Sequence, residues 1–254
     1  MFFEKLKREI LRQHSPEYLK KCVPYDALAH KYTELADQYS NSYQELYDNA
    51  LKHVCSREYS KGGDLVHRGF YTPCKMSLVT GGMNIGRLYK REPKDKSVCT
   101  YEYWFDKNGK LVCSILLGDY IEFFVYDGNS QLSFGYNIFC GRRDLAYISE
   151  CKYNGDDIIK YEHALISYEL KCSEISIEDT EYENGAFKSF IWTRYVPDIK
   201  LLTHTNFVFS RDEDGRLAEY TAEEIGTDHE KRKYPVMKIH RDRFVAPKRN
   251  TEGS

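Results

Sequence analysis

The sequence predicts a mainly β, α+β fold in which N-terminal helices pack on a long antiparallel β-meander. From residue 98 onward, segments rich in Tyr, Phe, Val and Ile alternate with tight-turn signals, which is typical of hairpins. Before residue 55, apolar residues instead recur at helical spacing. Because twisted sheets of roughly 8–11 strands rarely stay flat, we expect the meander to curl into a barrel or to bend into two layers.

The clearest strands lie between residues 98 and 139. Gly109 and Gly128 each lie in an Asp/Asn/Gly turn, and glycine accepts the positive φ that tight hairpin turns require. In residues 132–139 apolar and polar residues alternate, which predicts one buried and one solvated face. Residues 120–126 are apolar on both faces except at Glu122, so this segment is predicted to be a central strand covered on both sides.

Turn glycines recur along the whole meander. Gly109, Gly128, Gly155, Gly185 and Gly215 are separated by 19, 27, 30 and 30 residues, a loose period of one or two hairpins. The turns FDKNGKL and DEDGRL resemble those of the YD-type hairpin repeats of bacterial toxin shells and those of MORN-type repeats. This resemblance covers the turns alone and implies hairpins, since neither the full YD consensus nor the MORN glycine pattern is present.

The chain before residue 55 is predicted to be helical. Residues 2–14 carry an amphipathic pattern, and Ser15-Pro16 is typical of a helix start, with an N-cap serine and proline at the first helical position. We expect Pro24 to end that helix. Residues 26–54 are expected to continue as helix, with an interruption at residues 40–42. The apolar stripe needs a partner, and the sheet is the obvious one.

We therefore divide the chain into four segments. Residues 1–55 form a helical segment that packs on the sheet, and residues 98–225 form the antiparallel hairpin meander. Residues 56–97 form a loop-rich connector, with strands expected near residues 75–79 and 85–90. Residues 226–254 form a basic, partly disordered C-terminal tail.

Composition narrows the functional classes. The 254 residues carry a net charge of −2, so no overall field favours nucleic acid or a membrane surface. No apolar run approaches the roughly 20 residues that span a bilayer, and the N-terminus lacks a signal-peptide pattern. The eight cysteines form no C-x-x-C pair, and no Cys/His spacing is typical of a zinc site. We expect a cytoplasmic protein with reduced thiols and no metal or cofactor; a secreted, disulfide-bonded protein is the alternative.

No catalytic motif is evident. The Gly-rich segment 80–86 lacks the Gly-Lys-Ser/Thr ending of a phosphate loop, and no helical pattern follows it. The acidic pairs at 156–157 and 212–214 are explained as turn residues. A Cys–His–Asn or Glu–His site, or a polar barrel interior, would have to be assembled from separate strands, and the sequence does not select one set. The candidates are Cys151, Cys172, Tyr161, Glu162, His163, Thr203, His204 and Asn206.

Two charge clusters are candidate binding surfaces, although each is also typical of a solvated edge. The acidic strip comprises Glu174, Glu178, Asp179, Glu181 and Glu183. The basic tail carries Lys231, Arg232, Lys233, Lys238, Arg241, Arg243, Lys248 and Arg249. The strip would imitate phosphate groups and bind a basic surface of a partner, such as a nuclease active site. The tail would contact nucleic acid or pair with the strip within the molecule.

The expected function is a non-catalytic protein-binding module, most specifically a bacterial immunity or antitoxin-type protein that binds and blocks a toxin domain. A Tyr-rich sheet, the lack of a catalytic motif and the acidic strip support this hypothesis. One alternative is a barrel-type enzyme or small-ligand carrier, because a barrel of about eight strands holds one small ligand. Another is a structural hairpin-repeat component of a phage or secretion assembly.

Overall fold

A computed structural model of the chain shows one antiparallel sheet with two helices across one face. It describes residues 10–12, 14–63, 68–80, 85–225, 231–233 and 237–238. Most of the helix expected at residues 2–14 and most of the tail expected to be partly disordered, 226–254, lie outside the described residues.

The fourteen described strands belong to a single sheet. The strands are β1 Ser56–Lys61, β2 Arg87–Leu88, β3 Tyr101–Phe105, β4 Leu111–Leu116, β5 Tyr120–Asp127, β6 Ser130–Asn137, β7 Asp144–Asn154, β8 Asp157–Ile166, β9 Cys172–Glu183, β10 Ala186–Val196, β11 Leu201–Arg211, β12 Leu217–Ile225, β13 Lys231–Lys233 and β14 Met237–Lys238. Their order is β13-β12-β11-β10-β9-β8-β7-β6-β5-β4-β3-β1-β2, and β14 also pairs with β12. The predicted antiparallel meander is confirmed. The described strands do not close into a barrel, because β2 and β13 stand at opposite ends of this order.

The hairpin turns form as their residues predict. All five turn glycines have positive φ, between 54° and 78°. In the first of the two similar turns, Asp106 Oδ1 accepts hydrogen bonds from the backbone N–H of Asn108 and of Lys110, both at 2.8 Å. Asp212 makes the equivalent pair with residues 214 and 216, at 3.0 and 2.9 Å. The sequences FDKNGKL and DEDGRL are thus similar because both form the same aspartate-capped turn.

Two helices, α1 (Pro16–Tyr39) and α2 (Tyr43–His53), cover part of one sheet face, here called the helix face. Ser15 Oγ caps α1 by accepting a hydrogen bond from the backbone N–H of Tyr18 at 3.1 Å, as the sequence predicts. Tyrosines dominate the contact with the sheet. The Tyr39 ring stacks on Phe134 with centroids 3.9 Å apart, and Tyr43 meets Tyr136 edge-on at 5.4 Å.

The expected helix break at Pro24 is wrong, because Pro24 lies inside α1. Proline removes one backbone donor from the helix and disfavours it locally. Buried residues nevertheless continue at helical spacing on both sides of it, with Cys22 before and Ala29 and Tyr32 after. Burial of this stripe against the sheet outweighs the local cost.

The connector contains β1 and a short helix that the sequence did not predict. Residues 75–79, where a strand was expected, lie in helix α3 (Lys75–Thr80). The Glu178 carboxylate of β9 accepts hydrogen bonds from the backbone N–H groups of Lys75 at 2.7 Å and Met76 at 2.8 Å. A carboxylate on a distant strand thus accepts hydrogen bonds from the free backbone N–H groups in the first turn of α3. This explains why local periodicity did not reveal the helix. We call residues 68–80 the strap, and the sheet face that it covers the strap face.

The strap face is concave. Phe70 of the strap packs against an aromatic cluster on β3–β5 and also against a second cluster, which consists of Ile85 and side chains of β10–β12. At about 4.8 Å between neighbouring strands, β5 and β10 would lie about 24 Å apart in a flat sheet, a distance that Phe70 and Ile85 do not bridge. The sheet therefore bends around the strap, which confirms the bent-sheet form of the predicted fold.

The first prediction concerns Gly135 on β6, which lies beneath the Tyr147 ring of β7. A Cβ placed on Gly135 would be 2.0 Å from Cζ of that ring. We expect Gly135→Ala to lower the free energy of unfolding by about 1–3 kcal/mol through overpacking. Urea denaturation measures this loss, and Gly135→Ala combined with Tyr147→Leu should recover part of it. An unchanged stability in the single variant would contradict the close packing.

Candidate functional site

The most concentrated polar chemistry in the described chain surrounds Arg68 on the strap face. Arg68 is buried, and its guanidinium lies between β5, β6 and β7. Nε donates to Glu122 Oε1 at 3.0 Å, Nη1 donates to Gln131 Oε1 at 2.7 Å, and Nη2 donates to Ser133 and Ser149 at 3.2 and 3.1 Å. Nη1 also contacts Cys151 Sγ at 3.7 Å. The five donors of the guanidinium therefore have five acceptors.

The surroundings of the guanidinium favour its charged form. Its carbon lies 4.5 Å from the centroid of the Phe124 ring, a cation–π distance. Burial alone lowers the pKa of Arg68, but the Glu122 carboxylate 3.0 Å away raises it above its ordinary value. Glu122 Oε2 is buried without a hydrogen-bond partner among the described residues. The arrangement is a buried ion pair held by neutral polar groups.

A second polar cluster joins the strap to β9. Glu178 accepts the two backbone hydrogen bonds at the start of α3 and a third from Cys74 Sγ at 3.2 Å. Burial raises the pKa of Cys74 and of Glu178, and it lowers the pKa of Lys75. A thiol whose pKa is raised stays protonated and is a poor nucleophile. The cluster is therefore suited to holding the strap and not to covalent chemistry.

The cavity beside the Arg68 guanidinium leaves no room for a ligand larger than water. The cavity beside Arg68 and Glu122, lined also by Tyr101, Ser114 and Tyr147, has a volume of about 10 Å³. That is about the space of one water molecule. Among the described residues, no group of three or more His, Cys, Asp or Glu side chains is placed to hold a metal ion.

The acidic strip is divided between the two faces of the sheet. Glu178 is fully buried on the strap face and so belongs to no surface. Glu174 pairs with Arg194 at 2.7 Å on that same face. Asp179, Glu181 and Glu183 alternate to the helix face and are exposed. Three of the five predicted residues therefore share one open surface.

Asp179 and Glu181, but not Glu183, line a groove on the helix face, beyond the area that the helices cover. The groove has a volume of about 280 Å³ and lies on β8–β11. Tyr195 of β10 donates a hydrogen bond to Asp26 of α1, so its side chain lies on the helix face. Ile191 is four residues earlier in the same strand and therefore points to the same face, which places the groove there.

The lining of the groove combines apolar and acidic side chains. Ile159, Ile191 and Val208 are 40%, 44% and 40% exposed. Asp179 and Glu181 lie beside them. Lys188 also reaches the groove but pairs with Glu183 at 3.3 Å, and Lys160, which stands opposite Asp179 on β8, pairs with Glu162 at 2.8 Å. The result is an apolar strip with an acidic side.

The predicted catalytic candidates are not brought together. His204 lies on the helix face, where its Nδ1 is 2.8 Å from Thr193 Oγ1, whereas Cys151 and Tyr161 lie on the strap face. Ile177 of β9 and His204 of β11 both align with Thr193 of β10 in the strand register. Cys172 lies five residues before Ile177 on β9, and so about 17 Å along the strand from the position level with His204. Thr203 alternates to the face opposite His204 and Asn206.

The Glu162–His163 pair points to opposite faces, as expected for neighbours in a strand. Glu162 accepts a hydrogen bond from the Tyr32 hydroxyl at 2.8 Å and pairs with Lys160 at 2.8 Å on the helix face. His163 lies on the strap face, with its ring centroid 5.2 Å from that of Tyr147. All eight cysteines are free thiols.

The described part of the basic tail pairs with β12 and not with the acidic strip on β9. In the backbone register Lys233 stands opposite Glu223, Arg232 opposite Glu224, and Lys238 opposite Glu219. The remaining tail residues named above, from Arg241 to Arg249, lie outside the described residues.

Comparison of the chain with models of known protein families, with curated protein sequences and with solved structures found no match. Within the described part of the chain, no helix has the length and apolar character that crossing a bilayer requires.

Arg68 and the groove side chains Ile159, Ile191 and Val208 were not predicted from the sequence. One signal was available for the first. Glu122 is the single charged residue before Asp127 in an otherwise apolar central strand, and a buried carboxylate requires a cationic partner. Nothing in the local sequence identified Arg68 as that partner, because it lies 54 residues away in the connector.

The second prediction tests the buried ion pair. We expect Arg68→Met to lower the free energy of unfolding by about 3–5 kcal/mol, because the Glu122 carboxylate stays buried without its cation. Urea denaturation measures this. Combining Arg68→Met with Glu122→Gln should recover part of the loss. The matched control is Arg57→Met, since Arg57 also lies over an aromatic ring (Trp104) and beside a carboxylate (Glu102, 3.3 Å) but is exposed. A control loss equal to that of Arg68→Met would contradict a special role for burial.

The third prediction concerns pH. Burial, with the positive charge of Arg68 as a second cause, lowers the pKa of His163 from 6.5 to about 3. The imidazole therefore binds a proton in the unfolded chain, but not in the folded one, between these two pH values. The free energy of unfolding should fall as pH decreases from 6.5 towards 3, by up to about 1.4 kcal/mol per pH unit.

The measurement is chemical denaturation of the wild type and of His163→Gln across this pH range. The difference between the two proteins isolates the histidine, because the other titrating groups are shared. Its contribution should be fully present above pH 6.5. Parallel pH profiles would show that His163 titrates equally in both states.

Proposed function

We propose that this chain is a non-catalytic protein-binding module of the bacterial immunity or antitoxin type, acting in the cytoplasm, and that the groove on β8–β11 receives its partner. The observation that carries the proposal is the groove's composition: three exposed aliphatic side chains next to the carboxylates of Asp179 and Glu181, while the nearby Lys160 and Lys188 form ion pairs with Glu162 and Glu183. Exposed apolar patches with polar margins are typical of protein interaction sites.

Charge complementarity specifies the partner. Asp179 and Glu181 favour a basic surface, and Ile159, Ile191 and Val208 favour one or two apolar anchors at its centre. A basic surface of this kind is what a toxin that binds nucleic acid presents. The carboxylates would then stand where phosphates of the substrate would bind.

The strap face supports the same proposal, because side chains of the protein itself fill the space that a ligand would need. A ligand carrier or enzyme on a curved sheet needs an open concave face, and here the strap, its aromatic contacts and the Arg68 network occupy it. The volume left beside Arg68, about 10 Å³, is too small for a metabolite. The groove on the opposite face offers the larger opening.

The fourth prediction tests this function. Purification of the full chain from the cells that produce it should yield one stoichiometric protein partner with a basic surface. The combined change Asp179→Lys and Glu181→Lys should weaken that complex at least tenfold, because it replaces attraction with repulsion. Isothermal titration with the purified partner measures the dissociation constant, and the wild-type complex should weaken as salt is raised.

The matched control is Glu213→Lys with Asp214→Lys, an equal change of charge in the exposed β11–β12 turn. It should leave the dissociation constant within about twofold at moderate salt, where distant charges are screened. The absence of any stoichiometric partner would overturn the proposed function. A partner that binds both double variants equally would overturn the assignment of the groove.

A further inference from the structure

The Arg68 site has the features of a complete receptor for one chemical group. Acceptors from β5, β6 and β7 converge on a planar, forked cation, and the Phe124 ring covers one of its faces. These acceptors also contact each other. Ser133 Oγ donates to Glu122 Oε1 at 2.5 Å and lies 2.6 Å from Ser149 Oγ. The sheet itself therefore holds the acceptors in position, independently of the strap.

The strap adopts an unfavourable backbone to deliver Arg68. The backbone φ of Arg68 is 49°, in the left-handed region that residues other than glycine rarely adopt. Gly69 follows with a φ of 46°, and a Cβ there would lie 2.5 Å from the Tyr101 ring. The strap is therefore pressed onto the sheet at this point. Interactions of the guanidinium are available to offset the backbone cost.

We propose that the strap face carries a guanidinium-binding site, which the chain fills with its own Arg68. The ligand class is a small guanidinium cation, and the residues that bind it are Glu122, Gln131, Ser133 and Ser149, with Phe124 beneath. The strap is thus an intramolecular ligand of the sheet. When the Arg68 side chain is removed, the site accepts a guanidinium from solution.

The site discriminates between cations by geometry. A guanidinium presents five donors in one plane and stacks on an aromatic face, whereas an ammonium is a compact point charge with three donors. Methylammonium would satisfy the charge of Glu122 but not the separate directions of Gln131, Ser133 and Ser149. Methylguanidinium and methylammonium, each as the chloride, are therefore the test pair.

The fifth prediction is chemical rescue of Arg68→Ala in the full chain. Thermal unfolding is followed with increasing methylguanidinium, and with methylammonium at equal concentrations. At ten times its dissociation constant, methylguanidinium should raise the melting temperature of Arg68→Ala by roughly 3–6 °C. Methylammonium should give less than half of that shift. The wild type, whose site is filled, should show no rise with either cation.

Arg57→Ala is the matched control, because it removes a guanidinium that also lies over a ring but in an exposed position. It should show no rise. If Arg68→Ala does not fold alone, its folding yield with each cation replaces the melting temperature, and Arg68→Gly, which relieves the backbone strain, is measured in parallel. Equal rescue by both cations, rescue of Arg57→Ala, or no rescue of either Arg68 variant would overturn the proposal.

Discussion

The structure depends on how a very wide antiparallel sheet covers its concave face. A meander of this width must bend, and bending encloses polar side chains such as Glu122, Gln131 and Ser149 that no helix reaches. The Arg68 guanidinium satisfies them together, because its five donors meet acceptors from three adjacent strands. Without that cation the concave face would retain the buried charge of Glu122 with no counter-ion. Arg68 therefore fixes the start of the strap on the sheet, and Glu178 fixes its end at α3.

The two faces of the sheet consequently have different chemistry. The helix face is covered by α1 and α2 through aromatic packing, and the hydroxyls of the buried Tyr32 and Tyr195 donate hydrogen bonds to Glu162 and Asp26. The strap face is covered by a short segment that combines the hydrogen bonds of Arg68 and Glu178 with the packing of Phe70 on the aromatic clusters. Because the helices cover only part of their face, the groove beside Ile191 stays open. The proposed binding surface is thus a consequence of helices that are shorter than the sheet is wide.

The sequence predicted those features whose cause is local. The tight turns at Gly109 and Gly215 form because glycine accepts a positive φ and a nearby aspartate caps the turn. The start of α1 is set by the N-cap Ser15 and by Pro16 in the first turn. Features with a distant cause were missed or mistaken. Helix α3 depends on the Glu178 carboxylate 103 residues away, and α1 continues through Pro24 because the sheet buries its stripe. The acidic strip was predicted from composition, but strand alternation sends Glu178 inward and leaves Asp179 and Glu181 outside.

The two ends of the described sheet have a consequence for the behaviour of the chain at high concentration. An open sheet presents unpaired backbone groups at its outer strands, and such groups are templates for aggregation. Here one end is β2, of only two residues, and at the other end β13 and β14, of three and two residues, divide the outer side of β12. Each offers too short a ladder for a second molecule to extend. The interrupted margins thus protect a meander whose long central strands would otherwise favour fibril growth.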